Sequence, residues 1–161
     1  MRSAHSPLKQ VISGGQTGVD RAALDAAMAA GLALGGWCPA GRRAEDGPID
    51  PVYPLEETPS RDYRQRTRWN VRDSGATLVL SWGRVTGGTA LTVRYIRELG
   101  RAHRIVALDG HPDPEPVREW IREQGVEVLN VAGPRGDREG RIYAAARAFL
   151  GRVLTRAEEA R

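Results

Sequence analysis

Two glycine-rich segments carry the first chemical signal in the sequence: Gly14-Gly15-Gln16-Thr17-Gly18, and Gly87-Gly88-Thr89. Each follows a short apolar run and leads into a helix-forming one. Backbone N–H groups at a helix start have no intrahelical acceptor and lie at the positive end of the helix dipole, so a glycine loop that bares them makes a place for an anion. A local reading competes: Gly14, Gly15 and Gly18 permit a tight turn, with Thr17 as N-cap and Asp20 as its capping-box partner. A cap satisfies only one or two of the four free donors, so it does not remove the anion site. The first loop is neither a Walker sequence nor a GxGxxG. No Gly-Lys-Ser/Thr follows, and Gly14-Gly15-Gln16 breaks the dinucleotide spacing, so ordinary ATP or NAD is not indicated.

Arginine is the second signal. Lys9 is the only lysine among 24 basic residues, which leaves 23 arginines against 20 acids and a net charge of +4. Compositional habit explains much of that preference, but guanidinium forks also grip phosphate and carboxylate with two donors at once. Arg42 and Arg43 precede Glu45-Asp46-Gly47, which either neutralise them or leave them to clamp an oxyanion. Tyr63, Arg66, Thr67 and Asn70 share one helical face that is polar where a packing face would be apolar, so it either meets solvent or turns into a cleft. Trp37 and Trp82 fall where strands end and could stack on a flat ring or simply pack. His5, His103 and His111 lack metal-ligand spacing, and the single Cys38 offers neither a disulfide nor a metal set. Asp20, Glu45, Asp46 and Asp73 could move protons, yet no pair has compelling spacing. Ser13 and Ser81 lack a nucleophile elbow.

The elements that must position these groups alternate. Strands are expected at 10–13, 34–37, 76–81, 104–108 and 126–131, and helices at 20–30, 63–72, 90–99, from Pro114 to Gln124, and at 138–152. This predicts one α/β domain of three layers over residues 9–154: a mostly parallel five-stranded sheet with helices on both faces, a loose start at 1–8 and a frayed end at 155–161. Residues 38–60 hold proline and glycine without apolar period and read as a long functional loop anchored by Tyr53 and Leu55. Apolar runs such as Ala76–Leu80 fall far short of the roughly 20 residues that cross a bilayer, so a cytoplasmic protein is expected. In such a sheet ligands sit beyond the carboxyl ends of the strands, where the loops after the first and third strands are expected to meet.

Ser13-Gly-Gly-Gln-Thr-Gly-Val-Asp-Arg-Ala-Ala-Leu-Asp25 resembles the signature of the molybdenum-cofactor carrier proteins. Cys38-Pro39-x-Gly41-Arg42-Arg43-Ala44-Glu45-Asp46-Gly47, Tyr53-Pro54-Leu55, Arg66-Thr67-x-x-Asn70-Val71 and Gly87-Gly88-Thr89-x-Leu91-Thr92 resemble the rest of that pattern in order. The resemblance covers about residues 10 to 110. It implies a Rossmann-like fold related to the lysine-decarboxylase-like and nucleotide-sensing families, a homo-oligomer, and binding of phosphorylated molybdopterin (the molybdenum cofactor) or the molybdenum oxyanion, with no protein-ligated metal. The ligand set it points to is Gly14, Gly15, Gln16, Thr17, Gly18, Asp20, Arg21, Arg42, Arg43, Arg66, Asn70, Gly87, Gly88, Thr89 and Thr92. The amides of Gly14 to Gly18 would take the phosphate. On this reading Gly15→Asp blocks anionic ligands with modest loss of fold. Phosphoribohydrolases that release bases from nucleoside monophosphates resemble the chain in a Gly-Gly-x-Gly-Thr-x-x-Glu loop, but Thr92 stands where they have the acid, so a binding protein is favoured over an enzyme. The helix start also resembles the Rossmann domain of the DNA-processing protein A family, and five arginines against one aspartate between Arg61 and Arg72 keep single-stranded DNA as an alternative partner.

Overall fold

The computed structural model describes residues 6–155. Gln10–Ile12 (β1) runs through the first glycine loop into Val19–Ala29 (α1), followed by Ala33–Gly35 (β2), Trp37–Cys38 (β3) and Glu56–Glu57 (β4). Tyr63–Arg72 (α2), Ala76–Ser81 (β5), Gly87–Leu99 (α3) and Ala102–Ala107 (β6) come next. A 3-10 turn at Leu108–Gly110, Glu115–Gln124 (α4), Val128–Ala132 (β7) and Arg141–Leu154 (α5) complete the order. Five strands form one sheet in the order β2-β1-β7-β5-β6, every neighbouring pair parallel. Strands β3 and β4 form a separate parallel pair. The expected second strand at 34–37 is therefore two strands in two sheets, broken at Gly36, whose φ of 123° turns the chain.

Helices cover both faces, as the alternating pattern requires. On one side α1, α4 and α5 pack on Val11, Leu78, Leu80, Leu129 and Val131. Ala22, Ala23, Ala26 and Ala27 of α1 are all buried there, and their small side chains admit the close approach of α5. On the other side α2 and α3 supply Val71, Val93 and Ile96 against Val79. Strand β5 is buried at all six positions, which is why its sequence is apolar almost throughout rather than alternating. Among the described residues no helix is long and apolar enough to cross a membrane.

The expected loose start and frayed end fall largely on 1–5 and 156–161, outside the described residues. Leu8 itself packs on the main core, and the Thr155 carbonyl accepts from Arg118 Nη2 at 3.0 Å.

Residues 38–60 are long but not structureless. Cys38, Ala44, Ile49 and Leu55 form a small core with Leu24 of α1. Arg42 organises the segment. Its Nε donates to the Ile49 carbonyl (2.9 Å), its Nη1 to Leu55 (3.2 Å) and its Nη2 to Asp50 and Tyr53 (2.8 Å each). A guanidinium with four carbonyl acceptors has little left for a ligand, so Arg42 is a structural residue and not the oxyanion clamp expected from sequence. Asp25 of α1 ties the segment down from the other side, accepting 2.5 Å hydrogen bonds from the hydroxyls of Tyr53 and Tyr143.

Arg42→Ala removes all four bonds and is expected to cost about 2 kcal/mol or more in denaturant unfolding, since some of the orphaned carbonyls are half-buried. Burial, reinforced by the bond to Asp25, pushes the Tyr143 phenol up to about 12. A raised phenol contributes stability that is intact below about pH 10 and lost as pH rises through the folded value. Alkaline unfolding should therefore steepen above pH 10, and Tyr143→Phe should flatten that limb.

Candidate functional site

The loop after β1 is closed by the protein itself. Gly14 and Gly15 are buried, and the Arg66 guanidinium lies directly over Gly14, where a Cβ would meet its Nη1 at 2.6 Å. Three of the amides that were to receive a phosphate, those of Gly15, Gln16 and Thr17, have acceptors within the chain, as has Val19 behind them. Gly15 N donates weakly to Ser13 Oγ (3.4 Å), Gln16 N to Asp20 Oδ2 (3.3 Å), Thr17 N to Gln16 Oε1 (2.9 Å) and Val19 N to the Pro134 carbonyl (3.1 Å). Helix α1 is capped at Gly18 with no side-chain bond, so Thr17 is not its N-cap; the Thr17 hydroxyl accepts from Gly136 N at 3.1 Å. Asp20 does not complete a capping box. It serves as the loop's own anion.

Strand order decides the rest. Strand β7 lies between β1 and β5, so the two glycine loops are separated by a strand, about 10 Å at the usual inter-strand spacing, and do not meet as expected. The loop after β7 fills the gap. A Cβ on Gly18 would meet the Arg135–Gly136 backbone at 2.4 Å, and one on Gly133 would meet the Leu80 carbonyl at 2.4 Å. The joint amide cradle read from the sequence is therefore corrected on two counts: spacing and occupancy.

The second glycine loop is open. Residues 83–88 are exposed, and added Cβ atoms on Gly87 or Gly88 would meet nothing within 4 Å. Both glycines belong to α3 rather than to the turn before it. The helix starts without a side-chain cap at Thr86, and among the described residues the amides of Gly87, Gly88 and Thr89 have no acceptor. Thr89 is buried beneath them, and Thr92 donates to the Gly88 carbonyl at 3.0 Å.

Positive charge gathers where three segments converge on Tyr63, at the start of α2. The guanidinium carbons of Arg43, Arg66 and Arg135 stand 4.5, 5.4 and 5.9 Å from the Tyr63 ring centroid. Arg135 pairs with Glu45 (2.8 Å, both half-exposed), and Arg43 Nη1 donates to the Arg61 carbonyl. Arg66 is only 13% exposed; its one carboxylate is Asp20 Oδ2 at 3.6 Å, and Nη1 also reaches Thr67 Oγ1 (3.0 Å). Among the described residues its Nε and the Gln16 Nε2 are buried donors without a partner. Burial raises the Asp20 carboxyl above its ordinary value, although Arg66, the Gln16 amide, Arg21 and the Gly14 amide all pull it down.

Other expected ligands are engaged elsewhere. Arg21 clamps the Gly15 carbonyl through Nε and Nη2 and holds Asp46 at 3.1 Å. The polar face of α2 does turn inward, but Asn70 spends its amide on the backbone of Trp37, accepting at 2.8 Å and donating at 3.0 Å. Trp37 packs edge-on against Trp69 with centroids 4.7 Å apart, and its Nε1 donates to Asp73. Trp82 is half-buried against the main core. Among the described residues no group of His, Cys, Asp and Glu could hold a metal ion. Arg135 escaped sequence reasoning. Its signal was Gly133-Pro-Arg-Gly136 directly after the last strand, a turn at the ligand-binding edge that becomes central only once β7 is known to neighbour β1.

At Gly15 the backbone φ is +75°, and a Cβ would meet Leu55 and Ile49 at 2.6 and 2.7 Å. Gly15→Asp therefore breaks the small core rather than merely blocking an anion. Even Gly15→Ala should lose about 2 kcal/mol or more in chemical denaturation, and a near-wild-type midpoint would show that this contact yields freely.

Comparison with known proteins agrees with this architecture. Residues 11–154 match the model of the circularly permutated YpsA SLOG family. The crystal structure of a "Putative molybdenum carrier protein" from Syntrophus aciditrophicus SB is 39% identical, covers 92% of this chain and 96% of its own, and superposes with a TM-score of 0.84. No functionally curated protein matches the chain. The sheet order, the two helix layers and the match over nearly the whole length lead to one assignment: the chain belongs to the circularly permutated YpsA SLOG family.

Proposed function

We propose that the protein is a carrier that binds a small anion reversibly, the anion being the molybdenum oxyanion or the phosphate of the molybdenum cofactor. The observation that carries this reading is the convergence of Arg43, Arg66 and Arg135 on Tyr63. Glu45 and Asp20 pair with Arg135 and Arg66, and Asp62, the carboxylate beside Arg43, is itself paired with Arg64, so positive charge still exceeds negative around the Tyr63 ring. A bound anion would relieve the repulsion among the three arginines, most strongly at Arg66, which is the one of the three shielded from solvent. Planar forks suit tetrahedral oxyanions, because two donors engage two oxygens at once. The open N-terminus of α3, with Gly87, Gly88 and Thr89, is the second anion-binding element at the same edge of the sheet. The name of the Syntrophus relative supports molybdenum as the cargo.

The donor set fits the oxyanion or phosphate part of such a ligand. A pterin ring would need a flat platform; Trp37 is packed edge-on against Trp69, which leaves the Tyr63 phenol and the Arg43 plane above it. In this reading Asp20 and Arg21 shape the loop beneath the ligand, Gln16 presents its free Nε2, and Thr92 supports the α3 start through the Gly88 carbonyl. A cytoplasmic homo-oligomer built from one domain over 9–154 completes the proposal.

Titration calorimetry with sodium molybdate and with inorganic phosphate should give saturable binding. Arg66→Gln and Arg135→Gln should each weaken it about tenfold or more, the loss of roughly one charge-assisted contact. Gly88→Asp, which places a carboxylate at the α3 start in open space, tests the second element. Unchanged affinity in all three folded variants would move the site elsewhere, and release of base from nucleoside monophosphates at enzymatic rates would replace the carrier by a hydrolase.

A further inference from the structure

The carboxylate that shapes the loop beneath the proposed ligand also faces the guanidinium that would hold that ligand. Asp20 is 3% exposed, and its Oδ2 accepts from the Gln16 amide (3.3 Å) and stands 3.6 Å from Arg66 Nη1. Among the described residues the other nearby cations are engaged elsewhere. Arg21, next on the same helix, has its guanidinium committed to the Gly15 carbonyl and to Asp46. From the loop after β7, Arg135 is held by Glu45, and from the 40–47 segment Arg43 is turned to the Arg61 carbonyl. The remaining neighbours of the carboxylate are the amides of Gln16 and Gly14. Arg66 is only partly satisfied by Asp20, since its Nε has no partner and the pair is longer than a close ion pair.

We infer that anion binding at Arg66 is coupled to protonation of Asp20, so that each anion bound brings up to one proton from solvent onto the Asp20 carboxyl. The inference rests on the proposed function and names its regulation. An incoming dianion and the Asp20 carboxylate compete for one guanidinium in a poorly solvated place, where like charges interact strongly. Protonating Asp20 removes that competition, and the neutral carboxyl still accepts from the Gln16 amide. Burial already favours the neutral form. The sign follows: because the complex binds more protons than the free protein, affinity rises as pH falls, by at most tenfold per pH unit. A carrier so built holds its anion more tightly under acidic conditions and yields it under alkaline ones.

The test uses the full chain with two tetrahedral dianions, sulfate and molybdate. Calorimetry in two buffers of different ionisation enthalpy near neutral pH gives the protons taken up per anion. A substantial fraction of one proton is expected for wild type, together with a Kd that falls as pH is lowered. Asp20→Asn keeps a side-chain acceptor for the amide, and should bind about tenfold more tightly at alkaline pH with no proton uptake. Carboxyl-carbon NMR of wild type provides a variant-free readout: the Asp20 titration should move upward when sulfate saturates the protein. Binding without proton uptake, uptake that survives Asp20→Asn, or an Asp20 titration unmoved by sulfate each overturns the coupling while leaving the carrier reading intact. Failure of both anions to bind at any pH overturns both.

Discussion

The buried Asp20 carboxylate accepts, from within the chain, a loop amide that an open glycine turn would leave for a ligand. A strand-to-helix turn rich in glycine leaves amides without acceptors, and such amides must find a partner before the loop can be buried. Here the first turn of α1 supplies it. Asp20 accepts from the Gln16 amide, Gln16 Oε1 accepts from Thr17 and Glu45, and the Pro134 carbonyl accepts from Val19. The loop can therefore pack against Leu55, Ile49 and the turn after β7. Its cost is one buried carboxylate, and Arg66 offsets that cost by lying across Gly14. Glycine at 14 leaves room for the Arg66 guanidinium, and at 15 it meets a backbone φ of +75° with Leu55 and Ile49 packed where a Cβ would be.

With most amides of the first loop engaged within the chain, the cations nearest it are side chains. Arg66 comes from α2, Arg43 from the 40–47 segment and Arg135 from the loop after β7, and the Tyr63 ring between them offers its negative face to all three. Glu45 restrains Arg135 from the rim while its own amide is fixed by Gln16. The cluster is thus held from both ends of the chain. A guanidinium cluster of this kind differs physically from an amide nest: it can reorient, its members can be released by exchange of ion-pair partners, and its charge is whole rather than partial.

The 38–60 segment, irregular as it is, holds Arg43 and the Glu45 that pairs with Arg135 steady. Its stability comes from the five-residue core around Cys38 and Leu55, from the four carbonyls gathered by Arg42, and from two phenols sharing Asp25. Arg42 itself sits at φ 54°, a left-handed conformation uncommon for a side-chain-bearing residue, and its four bonds hold it there. Arg43, one position on, faces the opposite way, toward Tyr63.

Much of this was legible in the sequence. Apolar runs and glycine stops located every strand and helix of the main sheet to within a few residues, and alternation of strands with helices required the parallel sheet with two helix layers. The run of motifs from Ser13 to Thr92 pointed to the right relatives, because residue type and spacing are local properties that a sequence records directly. Tertiary structure alone decided which strand lies beside which, and that choice moved the site. With β7 set between β1 and β5, a turn of little apparent interest, Gly133-Pro-Arg-Gly136, became a wall of the candidate site. Arg42, Asn70 and Arg21 became structural ties because backbone acceptors 6 to 33 residues away in the chain were brought within reach. A sequence states which donors exist; only the folded chain determines which of them its own acceptors satisfy and which remain for a ligand.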